Sequence, residues 1–328
     1  MSRLRLGTRR SALARTQSGQ VADRLRALGH EVELVEIVTE GDRDQATPLH
    51  QLGGTGVFVS ALRRALHDGR IDLAVHSLKD LPTVADEGLD VGALPVREDP
   101  RDALVARDGL TLAELPAGAT IGTGSPRRAA QLLALGLGHT VAPLRGNVDT
   151  RLASVAPGRN DGVVLALAGL RRLGRDDLVT EVLDPLQMLP APGQGALAVE
   201  IRHDDEATRD AVAPLDDPYT RACVTAERAL LATLEAGCSA PVGALAEVVL
   251  GLDADELSLR AVVAAPDGSG EIRRSAVGPL DDPAGLGERL ARLLLEDGAA
   301  DLVPDLAPDL AVPDLAPDLD RTMTRHGA

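Results

Sequence analysis

A strand–turn–helix unit occurs twice in this chain and constrains the fold more than any other feature. Leu4 to Leu6 reads as a short strand and Gly7-Thr8-Arg9-Arg10-Ser11 as a turn. A helix follows, with Ala14, Val21, Leu25 and Leu28 near helical spacing and Gly29 as its stop. Thr120-Ile121-Gly122-Thr123-Gly124-Ser125-Pro126-Arg127-Arg128 repeats the passage from strand to helix. Around the first copy, strands at 32–38 and 71–75 alternate with a helix at 57–66. Around the second, Gly158-Arg159-Asn160-Asp161-Gly162 opens a strand at 163–168, much as Gly69-Arg70-Ile71-Asp72 opens the earlier one. Such alternation predicts α/β architecture with largely parallel sheets. The repetition is either accidental or the mark of two related α/β domains facing each other across a cleft, where ligands commonly bind.

A third section begins near Asp217. Ala222, Ala226, Ala229, Leu230 and Thr233 share a broad face of a helix over 219–234. Strands at 244–250 and 257–263 and a helix at 284–295 complete a small α+β unit of helix, two strands, helix. From Asp305 to Asp318 runs a nine-residue near-repeat with proline every four or five residues. Proline excludes helix and the acidic residues limit collapse, so 301–328 is expected to be a disordered acidic, Pro-rich tail without chemistry.

Composition narrows the function. The 328 residues suffice for two or three domains. One Phe, one Tyr and no Trp mean an aliphatic core. The net charge of −16, without aromatic stacking platforms, argues against nucleic-acid binding. No apolar run reaches the roughly 18 residues of a membrane span, and the N-terminus has no signal-like apolar stretch. Cys223 and Cys238 make no disulfide framework, and with no matching His pattern they predict no metal site. A reducing, cytoplasmic setting is expected.

Against this acidic background, arginines gather at turns and strand ends. Ser125 suits an N-cap and Pro126 the first helical position. With Arg127 and Arg128 beside the free N–H groups, this is either an anion site for carboxylate or phosphate or an ordinary capped helix with solvated arginines. Arg9 and Ser11 form the same device in the first half. Arg145 and Arg151 flank a glycine turn, and Arg171 and Arg172 follow the strand at 163–168. Together they suggest a polycarboxylate or polyphosphate ligand, and the missing Walker lysine motif disfavours nucleotides. Lys79 is the only lysine, and arginine replaces lysine readily on a surface but not where a compact ammonium is required; with Asp80 beside it, the pair is either an acid–base site or a surface salt bridge. Of His76 nearby, packing or a hydrogen bond is expected. Cys238, in a loop of small residues, is a nucleophile, an attachment point or an inert thiol, whereas Cys223 within a helix reads as a small buried hydrophobe. Phe58 is a core anchor or a stacking residue over an aromatic ligand. These residues alone describe a two-lobed binding protein for a small anion.

Several motifs carry a more specific resemblance. His76-Ser77-Leu78-Lys79-Asp80-Leu81-Pro82, Arg97-Glu98-Asp99-Pro100-Arg101-Asp102, Gly122 to Arg128, Leu144-Arg145-Gly146-Asn147 to Arg151, Leu189-Pro190-Ala191-Pro192-Gly193-Gln194-Gly195 and Leu234-Glu235-Ala236-Gly237-Cys238 stand in this order. Across roughly 1–300 the chain resembles the hydroxymethylbilane synthase, or porphobilinogen deaminase, family. The resemblance implies three domains: 1–95 with 196–215, 100–190, and 218–300 carrying the cofactor cysteine. The first two would be α/β domains like those of periplasmic binding proteins and transferrins, the third a small α+β domain. It implies head-to-tail condensation of four porphobilinogen molecules with loss of ammonia, giving hydroxymethylbilane in tetrapyrrole biosynthesis. The implied cofactor is a dipyrromethane in thioether linkage to Cys238. Asp80 matches the catalytic aspartate, which would stabilise cationic azafulvene and pyrrolenine species. Arg9, Ser11, Lys79, Arg127, Arg128, Arg145, Arg151 and Arg172 match residues that hold acetate and propionate groups of the cofactor and growing chain. Ser77, Thr123 and Ser125 would add hydrogen bonds, and Phe58 matches a cleft phenylalanine at a mobile segment, 42–57. Thr55 and Glu40 depart from residues that are commonly basic. A monomer is implied, acting on a small molecule with neither nucleic acid nor membrane. A scaffold built on a dead enzyme would lack Asp80 or Cys238, and both are present.

Overall fold

The computed structural model describes residues 2–38, 56–155, 159–234, 240–251, 254–303 and 306, with side chains in the second helix from Val59 onward. Glu40, Thr55, Cys238, the side chain of Phe58 and the chain beyond 306 lie outside the described residues.

In the first lobe, β1 (Arg3–Thr8) leads into α1 (Ala12–Ala27), followed by β2 (Glu31–Glu36), α2 (Gly56–His67), β3 (Leu73–Ser77) and β4 (Leu89–Ala93). The second lobe runs β5 (Asp102–Ala106), β6 (Thr120–Thr123), α3 (Pro126–Ala134), β7 (Thr140–Pro143), α4 (Val148–Leu152), β8 (Gly162–Ala166), α5 (Leu167–Arg172) and β9 (Glu181–Val182). The chain then returns to the first lobe as β10 (Leu197–Arg202) and α6 (Glu206–Val212). Among the described residues the first sheet has the order β2-β1-β3-β10-β4 and the second β7-β6-β8-β5-β9. Each pairs three strands in parallel, β2-β1-β3 in one and β7-β6-β8 in the other. The largely parallel expectation is corrected here to mixed sheets. β10 enters the first sheet antiparallel to β3 and β4, and β5 lies antiparallel to β8 and β9. The lobe-to-lobe crossings impose this, because β10 arrives from the second lobe rather than through a local crossover helix.

Every residue of β5 is buried, as an inner strand covered on both faces requires. The largest fully buried side chains, among them Leu6, Leu25, Leu62, Ile71, Leu104, Ile121 and Leu170, are all Leu or Ile. The aliphatic core expected from the scarcity of aromatics is therefore present, and Tyr219 sits at the surface with its hydroxyl donating to Asp255. The strand expected at 163–168 ends at Ala166, and Leu167 already begins α5, so Arg172 lies in the last turn of a helix rather than at a strand end.

The third unit comprises α7 (Pro218–Thr233), β11 (Val242–Leu250), β12 (Asp255–Ala264), β13 (Glu271–Pro279), α8 (Pro283–Glu296) and α9 (Ala299–Leu302). Leu257, Leu259, Ala261 and Val263 of the middle strand are fully buried beneath the two long helices. Those helices cross so closely that a Cβ on Gly287 would lie 2.2 Å from the Ala226 carbonyl oxygen. Among the described residues the unit has three strands, not two. β13 is an edge strand containing Arg273 and Arg274 with little burial, so it lacks the apolar alternation that marks a strand in sequence. The start expected for the tail also shifts: Val303 and Leu306 are buried in this core.

One buried carboxylate ties the third unit to the crossings. Glu227, on α7, is fully buried and accepts both Arg97 terminal nitrogens, at 2.7 and 3.0 Å. It also accepts the backbone N–H groups of Gly193 and Ala246, at 2.6 and 2.9 Å. Arg97 Nε donates to the Gln194 carbonyl at 2.8 Å. Both chain crossings between the lobes are thus fastened to the third unit. Gly195 follows at φ +87°, and a Cβ there would sit 2.3 Å from the Glu98 carbonyl oxygen, so only glycine lets the crossings touch. Removing one charge of a buried pair typically costs about 3–5 kcal/mol. Glu227→Gln is expected to lower stability by about that amount in urea unfolding, and a change under about 1 kcal/mol would contradict this role.

Candidate active site

The site forms where β3, β6 and the returning crossing converge. Ser77 ends β3, and Leu78–Asp80 turn in a single 3-10 loop that places Lys79 and Asp80 beyond the strand end. Gln17 of α1 donates to Ser77 Oγ at 2.8 Å, fixing that hydroxyl from behind. On the opposite lobe Ser125 caps α3 as its sequence implies. Its side chain accepts from Arg128 N, with Pro126 in the first turn. Ser11 caps α1 in the same way, accepting from Ala14 N. The buried Thr123 hydroxyl accepts the Ser125 N–H at 3.2 Å and holds the turn. Gly124 has a reason to be glycine: a Cβ there would lie 2.5 Å from the Leu144 carbonyl oxygen and 3.9 Å from Arg151 Nη2. The arginine turn thus lies directly against the helix start.

Arg127 and Arg128 differ from expectation. Both are buried, and both clasp Asp102, a fully buried carboxylate at the start of β5. Arg127 Nη2 donates to Oδ2 at 2.7 Å, while Arg128 Nε and Nη2 donate to Oδ1 at 3.0 and 2.7 Å. Arg127 also donates to the Leu189 carbonyl, and Arg128 to that of Val164. Both guanidiniums are thus oriented by the protein's own carboxylate rather than left solvated at the surface. Burial pushes the Asp102 carboxyl up, but the two guanidiniums override that and hold it far below the usual carboxylate range.

Gln194 joins this clasp to the cleft. Its Nε2 donates to Asp102 Oδ1 at 2.8 Å and to the Pro100 carbonyl at 2.7 Å. Its Oε1 accepts from Lys79 Nζ at 3.3 Å and from Arg128 Nη2 at 3.4 Å. The Lys79 ammonium therefore meets an uncharged amide rather than a carboxylate. Burial, then the adjacent Arg128, bring its pKa down to about 8 despite Asp80. Arg151 is likewise lowered by burial and by Arg128, with Asp80 opposing and Arg145 adding to the shift. Its Nε donates to the Gly146 carbonyl at 2.8 Å. Lys79, Asp80, Arg128, Arg145 and Arg151 therefore share one electrostatic neighbourhood. Arg172 lies to one side, donating to the Gly195 carbonyl at 2.7 Å, and burial lowers its pKa with Glu98 opposing. Arg9 follows β1 at the mouth of α1, whose Leu13 approaches Gly169 of α5. Cys223 is buried, and burial with the nearby Glu227 pushes its thiol up to about 11, an inert group as expected.

Five cations, Lys79, Arg127, Arg128, Arg145 and Arg151, surround two carboxylates, Asp80 and Asp102. An arrangement that suppresses its own cations gains when a carboxylate arrives. The donor set therefore fits a small molecule with several carboxylates, and Asp80 is the acidic group left for chemistry. Asp102, Gln194, Gln17 and Glu227 carried no assigned role in the sequence. Asp102 and Gln194 stood inside quoted motifs, which was the only signal for them.

Fold and site define a two-lobed α/β protein with a third α+β unit and a cleft that grips polycarboxylates beside one aspartate. Residues 4–210 match the family model "Porphobilinogen deaminase, dipyromethane cofactor binding domain", and residues 221–296 match "Porphobilinogen deaminase, C-terminal domain". The porphobilinogen deaminase of Nocardia farcinica is 60% identical over 309 residues, covering 93% of this chain and 89% of that protein. That of Mycobacterium tuberculosis (strain ATCC 25177 / H37Ra) is 60% identical over 305 residues, 92% of this chain and 98% of that protein. The chain belongs to the porphobilinogen deaminase family, enzymes of tetrapyrrole biosynthesis that carry a dipyrromethane cofactor and produce hydroxymethylbilane. Among solved structures, the methionine-binding protein MetQ aligns with 13% identity over 65% of this chain and 89% of that one, at TM-score 0.40. No helix among the described residues is long and apolar enough to cross a membrane.

Lys79 is the only lysine, so protein grown on lysine labelled at Cε gives one side-chain signal. That signal is expected to titrate near pH 8 rather than 10.5. Unfolded chain keeps its proton to the ordinary value, so this group opposes folding fully below about 8, and stability recovers as pH rises from there to 10.5. A midpoint at the ordinary lysine value would contradict the crowding of cations described above.

Proposed function

We propose that the cleft residues divide the deaminase reaction into holding and proton handling. The dipyrromethane is attached through Cys238, and Lys79, Arg127, Arg128, Arg145, Ser77, Thr123 and Ser125 bind its acetate and propionate groups. Arg9, Ser11, Arg151 and Arg172 receive the carboxylates of incoming porphobilinogen and of the lengthening chain, with Phe58 against the ring. When bound, the dipyrromethane supplies the free pyrrole carbon from which the chain grows. The observation that carries this reading is the crowding of desolvated cations around Asp80, with the Gln194 amide as the hydrogen-bond acceptor of the Lys79 ammonium among the described residues.

Asp80 is the catalytic residue. Its carboxylate takes no hydrogen bond from another described side chain, and its charge reaches both Lys79 and Arg151. A carboxylate in that place stabilises the cation left when ammonia departs from porphobilinogen, and it can take the proton displaced when the new carbon–carbon bond forms. The cations orient each substrate by its two carboxylates, so that the aminomethyl carbon is presented to Asp80 rather than to solvent. The lobes 1–95 with 196–215 and 100–190 move relative to each other about the crossings, while 218–300 carries Cys238. We place the enzyme in the cytoplasm as a monomer that engages no nucleic acid.

Intact-mass measurement tests this reading. Wild-type protein is expected to carry a dipyrromethane adduct that Cys238→Ala lacks. Asp80→Ala is expected to stay folded but to lose at least about a hundredfold in single-turnover elongation. An unmodified wild-type mass would leave only a reversible anion-binding protein, and near-normal elongation by Asp80→Ala would remove its catalytic role.

A further inference from the structure

Gln194 does something none of the assigned cleft residues does: it touches cations from both lobes with one atom. Its side-chain oxygen accepts from Lys79 at the end of the first sheet and from Arg128 at the start of α3 in the second lobe. Its nitrogen is anchored by two shorter bonds, to Pro100 O and Asp102 Oδ1, at 2.7 and 2.8 Å. The residue is 1% exposed, and its own carbonyl is held by Arg97. The amide nitrogen is therefore pinned, and the carbonyl is presented between two cations at the long end of hydrogen-bond range. A carboxylate in that position would neutralise the pair and compete with any ligand carboxylate. An apolar side chain would leave two like charges facing each other across a dry gap. An amide does neither: it supplies a dipole without a charge.

Resting on the reading of Lys79 and Arg128 as carboxylate holders, we propose that Gln194 is a positioning residue whose amide oxygen stands in for a ligand carboxylate between these two cations, keeping them in register across the lobes until a carboxylate displaces it. Charge-assisted donors prefer separations of 2.7–2.9 Å, so an entering carboxylate gains at both cations while giving up only two long contacts. The amide also joins the lobes. Any rotation that separates Lys79 from Arg128 must break one of the two contacts, so opening and carboxylate release are coupled at this atom. The groups whose charge reaches Lys79 are Arg128, Arg127, Asp80 and Asp102, and none of them changes when Gln194 is replaced.

Gln194→Met preserves length and removes the dipole. Gln131→Met is the structural control: Gln131 is an equally buried amide that bonds Leu189 and does not touch Lys79. In full-length protein labelled at its single lysine, the Lys79 midpoint is expected to fall by about one pH unit in Gln194→Met and to stay in place in Gln131→Met. KM for porphobilinogen is expected to rise about three- to tenfold in Gln194→Met, more at pH 8 than at pH 7, as the ammonium is lost. An unchanged Lys79 midpoint in folded Gln194→Met, or an equal shift in Gln131→Met, overturns the proposal. An unchanged KM in Lys79→Met overturns the carboxylate reading beneath it, whatever the midpoint does.

Discussion

The Asp102 carboxylate, buried between two arginines, is the interaction on which the rest of the site depends. Alone, a carboxylate at that depth would be untenable. Two guanidiniums make it stable and leave one positive charge over, and that surplus is what Lys79 and Arg151 feel. The clasp also fixes geometry. Asp102 begins β5, Arg127 and Arg128 begin α3, and Gln194 lies on the returning crossing, so one carboxylate holds the sheet, the helix start and the crossing together. The cationic face of the cleft is thereby built on rigid elements rather than on loose surface chains.

Glu227 does the complementary work on the third unit. It gathers Arg97, Gly193 N and Ala246 N, so each crossing between the lobes is tied to α7 a few residues from where Gln194 meets Lys79. Acidic residues in this strongly acidic chain are thus divided by depth. Asp102, Glu227 and Glu200, which pairs with Arg63, are buried as organisers of arginine, Asp80 stands in the cleft, and surface ones pair weakly in high dielectric. A net negative protein can in this way present a locally positive cleft to a polycarboxylate substrate.

What was legible in the sequence were the features made by neighbours. The caps at Ser11 and Ser125 act within three residues, and both form as read. The aliphatic core followed from the scarcity of aromatics, and Lys79 stood out because it is unique. Asp102 was not legible, because its partners lie 25, 26 and 92 positions away along the chain. For the same reason spacing shows that Arg127 and Arg128 follow a cap, not that both guanidiniums turn onto Asp102. β13 escaped because an edge strand may keep polar side chains on both faces, and the antiparallel β10 because it pairs with strands more than 100 positions earlier.

If Asp102 organises the cations that hold the cofactor, the intact mass of Asp102→Asn reveals it. The substitution keeps the shape and removes the charge. A folded protein largely without the dipyrromethane adduct is expected, because two buried guanidiniums lose their counter-charge and the cleft loses its register. Full loading of Asp102→Asn, at the wild-type fraction, would contradict it.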